Sequence, residues 1–209
     1  MVSGSDSRED SLEGSLIGRL ARRLVVRPVP PGGAGRQAAV AVVLHELAGL
    51  CPRVLLMKRI ERAGDPWSGQ ISLPGGGYHV DDGDLVTTAI RETREELLID
   101  LSTLPGTRVL GHLPPMHPHA AGPRGMAVTP VIFATTVEPE PSCGPEAQAA
   151  FWLPLARAAS GELDDSFVYP GTGNRFPSWA YEGHTIWGLT MRILADIMET
   201  AGRAYTPPG

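Results

Sequence analysis

Apolar residues recur with a helical period in one strongly patterned segment near the middle of the chain. Placed on a helix at about 100° per residue, residues 84–99 show a single apolar stripe. The stripe consists of Val86, Ile90 and Leu97, is extended by Leu101, and has Ala89 at its edge. Such a stripe predicts the buried side of an amphipathic helix. The glycine run at 75–77, just upstream, predicts a tight turn that brings backbone close to the helix start.

Two runs upstream of this helix have the continuous, β-branched character of buried strands. Residues 37–47 predict a central strand and residues 53–60 a second strand, joined by a short turn around Gly49. We interpret His45, near the end of the first strand, as a structural residue.

Shorter patterns predict the remaining elements of the domain. They are a loop at 61–68, a lead into the glycine turn at 69–73, strands at 107–113 and 126–137, an acidic segment entering a strand at 146–155, a short helix at 155–160, a hairpin within 164–182 and a helix at 185–201. Pro130 predicts a bulge or an edge position in its strand, because proline cannot donate a ladder hydrogen bond.

Aromatic and apolar residues near the C-terminus suggest how the last elements are used. The hairpin carries Tyr169, Phe176, Trp179 and Tyr181, whose rings could pack on the core or line a pocket. The final helix has an apolar stripe at Trp187, Met191, Leu194 and Met198, for which core packing is the expected use.

The N-terminal region differs from the rest of the chain. Residues 1–14 are small, polar and charged and predict a disordered tail. Leu16, Leu20 and Leu24 are four residues apart, which predicts a short amphipathic helix docked on its own domain. The predicted divisions are a tail at 1–14, a helix and Pro/Gly linker at 15–36, a domain at 37–201 and a C-terminal tail at 202–209.

The bulk composition fits one packed domain of ordinary size. The chain has 209 residues, of which 42% are hydrophobic and 20% charged, with a net charge of −5. The negative charge argues against nucleic acid or an anionic membrane as partner, and no apolar run approaches membrane-spanning length. Without a secretory pattern at the N-terminus we expect a cytoplasmic protein, in which Cys51 and Cys143 are reduced thiols; a disulfide between them stays an open alternative.

Three glutamates fall together on another face of the predicted helix. Glu92, Glu95 and Glu96 are three and four residues apart, where like charges repel by about 0.2–0.5 kcal/mol per pair. One explanation is a solvated acidic face paired with Arg91 and Arg94. The other is a site for Mg²⁺ or Mn²⁺, which prefer hard oxygen ligands. The glycine run favours the metal site, because its carbonyl groups can complete a metal shell and its N–H groups can meet a phosphate.

The glycine run and the helix together resemble the Nudix box, a motif of Gly, five residues, Glu, seven residues and then Arg-Glu-apolar-any-Glu-Glu-any-Gly-apolar. Setting Arg91-Glu92 on the motif's Arg-Glu puts its first Gly at Gly77 and its Glu-Glu at Glu95-Glu96. The chain departs from the motif at three positions, which hold Gly83 in place of the first Glu, Thr93 in place of the apolar residue and Leu98 in place of the late Gly. Asp82 and Asp84 flank Gly83, and a shifted Asp84 could cover the missing acidic role.

The resemblance implies an α/β protein with the Nudix fold, a mixed β-sheet sandwiched between α-helices. It also implies an enzyme that hydrolyses a nucleoside diphosphate linked to another group, with Mg²⁺ or Mn²⁺ as cofactor. By the same resemblance, Glu92 and Glu96 are metal ligands and Glu95 is a ligand or the catalytic base. The Gly76 carbonyl is a further ligand, and Arg91 pairs with Glu95 to orient the cluster.

The sequences flanking the motif resemble the coenzyme A diphosphatase branch of the family. The matching residues are Leu55-Leu56-Met57-Lys58-Arg59, Gly69, Leu73-Pro74-Gly75-Gly76, the displaced Asp84 and Trp187-Gly188-Leu189-Thr190. The chain departs from the branch in a loop one residue longer and in Gly64, which replaces a second Arg, although Arg62 is near.

The branch resemblance implies further contacts for a small nucleotide substrate. Lys58, Arg59 and Arg62 are candidate contacts for a phosphorylated adenosine, together with backbone of Gly75 and Gly76. Glu146 is the candidate for a late glutamate that reaches the metal cluster or acts as base; an exposed surface glutamate is the alternative. His117 and His119 could bind zinc, although a His-x-His in a Pro/Gly loop is usually incidental.

Three functions remain open at this point. The first is a diphosphatase of CoA or acyl-CoA that releases 3′,5′-ADP and a phosphopantetheine. The second is a Nudix hydrolase of another nucleotide, such as an NDP-sugar, ADP-ribose, NADH or a dNTP. The third is a Nudix-fold binding module without turnover. Nudix proteins often form homodimers, and a homodimer is an open alternative here.

Overall fold

The computed structural model describes residues 15–32, 35–46, 52–64, 67–118, 125–170 and 172–202. Several predictions therefore concern residues outside these ranges: the N- and C-terminal tails for nearly all their length, the turn around Gly49, Cys51 and His119. In the described ranges, no helix is long and apolar enough to cross a membrane.

A mixed sheet of seven described strands forms the centre of the protein. The strands are β1 Arg36–His45, β2 Arg53–Arg59, β3 Ile71–Ser72, β4 Gly75–Gly77, β5 Arg108–His112, β6 Met126–Thr135 and β7 Ala147–Pro154. Their order is β3-β2-β1-β6-β5, with β4 paired to β1 and β7 paired to β2. β1 and β6 are parallel and the other pairs antiparallel. The predicted mixed sheet is therefore confirmed.

Helices cover both faces of this sheet, as predicted. The helices are α1 Leu16–Arg23, α2 Leu85–Leu97, α3 Leu155–Ala159 and α4 Gly188–Thr200. α2 packs on one face, where Leu85 and Ala89 join a core with Leu55 of β2. α1, α3 and α4 pack on the other face, where Leu20 and Leu194 join a core with Leu56, the next residue of β2. Alternate side chains of β2 thus enter opposite cores.

A second, three-stranded antiparallel sheet borders the α4 face. It consists of β8 Asp164–Val168, β9 Arg175–Tyr181 and β10 His184–Trp187, in which β8 and β9 form the predicted hairpin. The prediction that the last helix begins at 185 was wrong, because α4 begins at Gly188. Thr185 and Ile186 are β-branched and pair with β9, which buries Ile186 completely.

The predicted N-terminal helix is present and packs on its own domain. The Ser15 side chain caps α1 by accepting a hydrogen bond from the Gly18 N–H. The Glu46 carboxylate accepts from the N–H groups of Leu16 and Ile17, where negative charge is favourable at a helix start. Leu16, Ile17 and Leu20 are buried, and the Arg23 guanidinium donates to a backbone carbonyl at the end of α4.

The first two strands diverge and leave a gap that the glycine run fills. β1 pairs with β2 only at Leu44 and His45, whereas its first half pairs with β4. The expected tight turn at the glycines is thus a short strand. A Cβ on Gly75 would lie 2.3 Å from the Ala39 carbonyl oxygen, so only glycine permits this approach.

Pro130 occupies an interior strand, and the predicted bulge or edge position was wrong. β6 lies between β1 and β5, and its pairing with β1 is unbroken from 126 to 135. Pro130 lies next to the last β5–β6 pair, His112 with Val131. Its carbonyl accepts from the Leu113 N–H, and the ladder ends there because proline cannot donate a hydrogen bond in return. The irregularity is instead in β5, where the register shifts between Val109 and Gly111.

Candidate active site

The helix α2 carries the candidate glutamates and has well-defined ends. The Asp84 carboxylate accepts a hydrogen bond from the Thr87 N–H and so caps the helix start. Leu98 ends the helix with φ 55°, a left-handed conformation that glycine adopts without strain. This explains the late Gly of the motif, because Leu98 occupies the position of a left-handed cap.

The buried face of α2 is turned toward the glutamates compared with the prediction. Val86 and Ile90 are only partly buried, whereas Thr93 and Glu96 are almost completely buried. Thr93 tolerates burial because its hydroxyl donates to the Ala89 carbonyl one turn earlier. The predicted stripe does face the core, where Ala89, Leu97 and Leu101 are buried, but periodicity missed Glu96 because it assumes that charged residues face solvent.

Glu96 is the most buried acid of the cluster. Its side chain is 2% exposed, its Oε2 accepts a hydrogen bond of 2.8 Å from the Gly75 N–H, and its Oε1 lies 3.7 Å from the Arg59 guanidinium. Burial raises the pKa of Glu96 to about 8, and the charges of Glu92 and Glu146 act in the same direction. The Gly75 N–H and the Arg59 guanidinium therefore do not fully offset the burial of a negative charge on Glu96.

Glu92 and Glu95 are progressively more exposed than Glu96. The Glu92 side chain is 13% exposed, and burial raises its pKa despite a hydrogen bond of 2.8 Å from Arg91. The Glu95 side chain is 53% exposed and lies 3.3 Å from Arg91. The three acids thus run from the protein interior to the solvent along one side of α2.

Arg91 joins the glutamates to the loop before the helix. Its Nε and Nη2 donate to both carboxylate oxygens of Asp82 at 2.8 and 2.9 Å, and Nη2 also donates to the Gly77 carbonyl. Its Nη1 donates to Glu92 and Glu95. All five N–H groups of the guanidinium therefore have partners. The predicted Arg91–Glu95 pair is present, but Asp82 is the stronger partner.

Asp82 is the acidic residue before the helix that pairs with Arg91. Asp84 caps the helix, and its suggested role in place of the missing early Glu of the motif stays a prediction. The Asp82 side chain is 5% exposed. The Arg91 guanidinium, with smaller contributions from the His79 N–H and the Thr88 hydroxyl, holds the pKa of this carboxyl well below its usual range. Asp82 thus fixes the orientation of Arg91.

Two glycines let backbone approach the acidic helix closely. A Cβ on Gly76 would lie 2.5 Å from the Glu92 carboxyl group, so a side chain there would displace this acid. Gly144 was missed by the sequence analysis. Its N–H donates to the Glu96 carbonyl, and a Cβ there would lie 2.1 Å from the Glu95 carbonyl oxygen. No local signal identifies Gly144, because the contact is long-range.

The remaining candidate residues are only partly brought together. Arg59 lies beside Glu96, but Arg62 lies 3.1 Å from Glu146, and both of these side chains are more than two-fifths exposed. Glu146 is close enough to Glu96 to affect its pKa, without a direct contact. Lys58 lines a separate, smaller cavity.

A large cavity adjoins the acidic cluster through the glycine strand. Its volume is about 730 Å³, and Arg59 and the three glycines of β4 lie on its wall. Aliphatic and aromatic side chains form much of the remaining lining: Val40, Leu73, Val128, Phe176, Trp187 and Leu189. Of the hairpin aromatics, Tyr169 and Phe176 line this cavity, whereas Trp179 and Tyr181 are buried. A mostly apolar pocket with a few polar groups is typical of a small-molecule site.

The donor set around α2 fits a hard divalent cation. No group of three acidic, histidine or cysteine side chains in the described part of the chain is already arranged as a metal centre. However, Glu92 and Glu96 both have raised pKa values, and their negative charges lie close to each other and to Gly76 backbone. A cation with oxygen ligands would supply the missing compensation. His117 is exposed and contacts the Met126 carbonyl, which gives no support for zinc.

Comparison with known proteins assigns the chain to a family. A family model of the NUDIX domain matches residues 35–170. The chain belongs to the Nudix family. The "Uncharacterized Nudix hydrolase NudL" of Salmonella paratyphi B is 30% identical to this Nudix protein over 177 residues, covering 83% of its chain and 88% of NudL. The protein of the same name from Salmonella typhimurium matches equally well.

A solved structure shares the Nudix fold. The crystal structure of a NUDIX hydrolase from Alicyclobacillus acidocaldarius matches with a TM-score of 0.53 and 16% identity, covering 85% of this chain and 100% of that chain. This similarity concerns the fold alone. Family membership supports a hydrolase acting on a nucleotide derivative, whereas the name NudL specifies no substrate. The coenzyme A branch therefore remains a prediction.

Proposed function

We propose that this Nudix protein is a metal-dependent diphosphatase that cleaves CoA or acyl-CoA into 3′,5′-ADP and a phosphopantetheine. The observation that carries the proposal is the buried Glu96. Its carboxylate contacts Gly75 backbone and Arg59, and these two residues also line the large apolar cavity. A diphosphate held by Arg59 at this cavity would lie next to the acidic cluster.

In this proposal Glu92, Glu95, Glu96 and the Gly76 carbonyl hold Mg²⁺ or Mn²⁺. A bound cation of this kind neutralises phosphate oxygens and lowers the pKa of water. Arg91 keeps the acids in place, since Asp82 and the Gly77 carbonyl fix its own guanidinium. The fit of the donor set and the raised pKa values of two acids support this assignment.

The chain offers two candidates for the group that accepts the proton of the attacking water. Glu95 is exposed on α2, and Glu146 lies near Glu96 but pairs with Arg62. Substitution of each by Gln tests them separately. The pH–rate profile of the Gln variant that removes the base should lose its acidic limb, whereas loss of a metal ligand alone should instead raise the metal concentration needed for turnover.

The apolar lining of the large cavity supports a substrate with an apolar arm. The pantetheine and acyl parts of acyl-CoA would bury methylene groups there, each worth about 0.8 kcal/mol. Phe176 is 38% exposed at this cavity, whereas Val168 on the same hairpin is 47% exposed and is not among the residues that line it. We expect Phe176→Ser to reduce the preference for octanoyl-CoA over CoA, and Val168→Ser to leave it unchanged.

A substrate panel tests the proposal as a whole. CoA, acyl-CoA, ADP-ribose, NADH and dNTPs are each incubated with Mg²⁺ or Mn²⁺, and the products are identified by mass. Formation of 3′,5′-ADP from CoA is the expected result. Preferential cleavage of another nucleotide would favour the second function. No cleavage of any compound would leave the Nudix-fold binding module as the explanation.

A further inference from the structure

A second cavity of about 420 Å³ lies beside the large one and has a different character. Its polar lining side chains are Lys58, Ser68, Gln70, His184 and Thr185. The two cavities share lining residues, namely Gln70, Ile71, Tyr169 and Trp187. A ligand in the large cavity is therefore separated from the small one only by these side chains.

Lys58 gives the small cavity a positive charge. Among the described residues, no acid lines the cavity and no carboxylate lies at ion-pair distance from the Lys58 ammonium. His184 adds a second nitrogen donor, with its ring stacked on Phe151 at 4.6 Å. A lysine ammonium near hydroxyl and imidazole groups is suited to a phosphate.

Lys58 and Arg59 follow each other on β2 but have different surroundings. The register of β2 with β7 shifts between Lys58 and Arg59, and the two side chains line different cavities. Arg59 contacts Glu96 and lines the large cavity, whereas Lys58 lines the small one. The two cations would therefore contact two different phosphate groups of one ligand.

We propose that the small cavity is a second phosphate subsite, which binds a phosphate monoester on the ribose of the nucleotide. The inference rests on the proposed function, since it assumes that the diphosphate of the same ligand is held near Arg59. For CoA the monoester is the 3′-phosphate. Lys58 supplies the charge, and His184, Ser68 and Thr185 supply hydrogen-bond donors.

Kinetics with two substrates provide the first test. Wild-type enzyme and Lys58→Gln are compared on CoA and on dephospho-CoA, which lacks the 3′-phosphate. We expect the ratio of kcat/KM for CoA over dephospho-CoA to fall about ten- to a hundredfold in the variant, as for loss of one charged hydrogen bond. Arg108→Gln removes an exposed charge that borders neither cavity and should leave this ratio unchanged.

Chemical labelling provides a test that does not depend on turnover. Lys58 is the only lysine in the sequence, so acetylation of side-chain amines by an anhydride reports on this cavity alone. Peptide mass spectrometry distinguishes it from the N-terminal amine. We expect 3′,5′-ADP to slow acetylation of Lys58 at least about fivefold more than AMP does, because a bound phosphate both blocks the amine and keeps it protonated.

The outcomes distinguish this inference from the proposed function. CoA hydrolysis with an unchanged selectivity ratio in Lys58→Gln and equal labelling with both nucleotides would overturn the subsite and leave the function standing. Selective protection by 3′,5′-ADP without CoA hydrolysis would support the subsite and overturn the CoA assignment. Neither hydrolysis nor protection would overturn both.

Discussion

Replacing Glu96 by Gln separates two effects of this carboxyl group: the loss of folding stability caused by its buried charge, and its proposed part in metal binding and turnover. In the metal-free protein, burial raises the pKa of Glu96 from 4.5 to about 8. The folded state then holds the proton more tightly than the unfolded state does. The contribution of protonated Glu96 to the free energy of unfolding is fully present below pH 4.5 and is lost as the pH rises through about 8. The full shift corresponds to about 5 kcal/mol, of which about 3 kcal/mol is already lost at pH 7.

Gln has the same shape as Glu but cannot ionise, and its amide oxygen can still accept from the Gly75 N–H. The metal-free Glu96→Gln variant should therefore match wild type near pH 4.5 and exceed it by about 3 kcal/mol at pH 7, or about 6–12 °C in melting temperature for a domain of this size. Thermal unfolding in EDTA across this pH range measures the difference. Glu95→Gln is the matched control, because Glu95 is exposed on the same helix and should follow the wild-type pH dependence.

Addition of metal should reverse the order of the two proteins. Mg²⁺ or Mn²⁺ should raise the melting temperature of wild type but not of Glu96→Gln, and the variant should lose at least about a hundredfold in turnover. A variant that is no more stable than wild type at pH 7–8 would refute the idea of an under-compensated buried charge. A variant with normal turnover would remove Glu96 from the metal ligands.

Three further substitutions test how the site is supported. Leu98→Gly should raise the free energy of unfolding by about 1 kcal/mol in thermal melts. Leu98 adopts φ 55°, a left-handed conformation that strains a residue with a Cβ, and its exposed side chain contributes little packing. A destabilised variant would show that this conformation is not strained. Asp82→Asn should lower the free energy of unfolding in urea by about 2–3 kcal/mol and reduce turnover, because it weakens the contact with Arg91. The control Asp81→Asn changes an exposed neighbour and should alter neither property. Equal effects of the two substitutions would count against the Arg91 contact. Gly144→Ala should lower the free energy of unfolding by about 1–3 kcal/mol in the same assay, because the added Cβ meets helix backbone. In the control Gly77→Ala the added Cβ meets nothing within 4 Å. A Gly144→Ala variant as stable as wild type would show that the loop can move away.

Local patterns predicted most of the elements, since each depends on residues close in sequence. The strands before the Nudix helix, the helix itself and the β8–β9 hairpin were found from periodicity and turn residues. The Gly75–Gly77 strand was not, because its pairing with β1 depends on the divergence of β2, which no local pattern encodes. For the same reason residues 185–187 were assigned to a helix.

The site shows the same division between local and long-range information. Spacing on one helix predicted that Glu92, Glu95 and Glu96 lie together. It did not predict the depth of Glu96, because the buried face of α2 depends on the surrounding strands. The role of Asp82 depends on the conformation of the turn before α2, and the role of Gly144 on a contact across the fold.

The absence of side chains in β4 has a consequence for how the protein could diversify. Gly75, Gly76 and Gly77 form a wall only one backbone thick, with carboxylates behind it and the large cavity in front. The acids of α2 and the large cavity proposed to bind the substrate are therefore separate compartments, divided by main-chain atoms of β4, and Arg59 reaches both. Mutations in the β8–β9 hairpin can reshape the compartment for recognition while the acids on α2 stay as they are, so that new substrates become accessible to an unchanged hydrolytic centre.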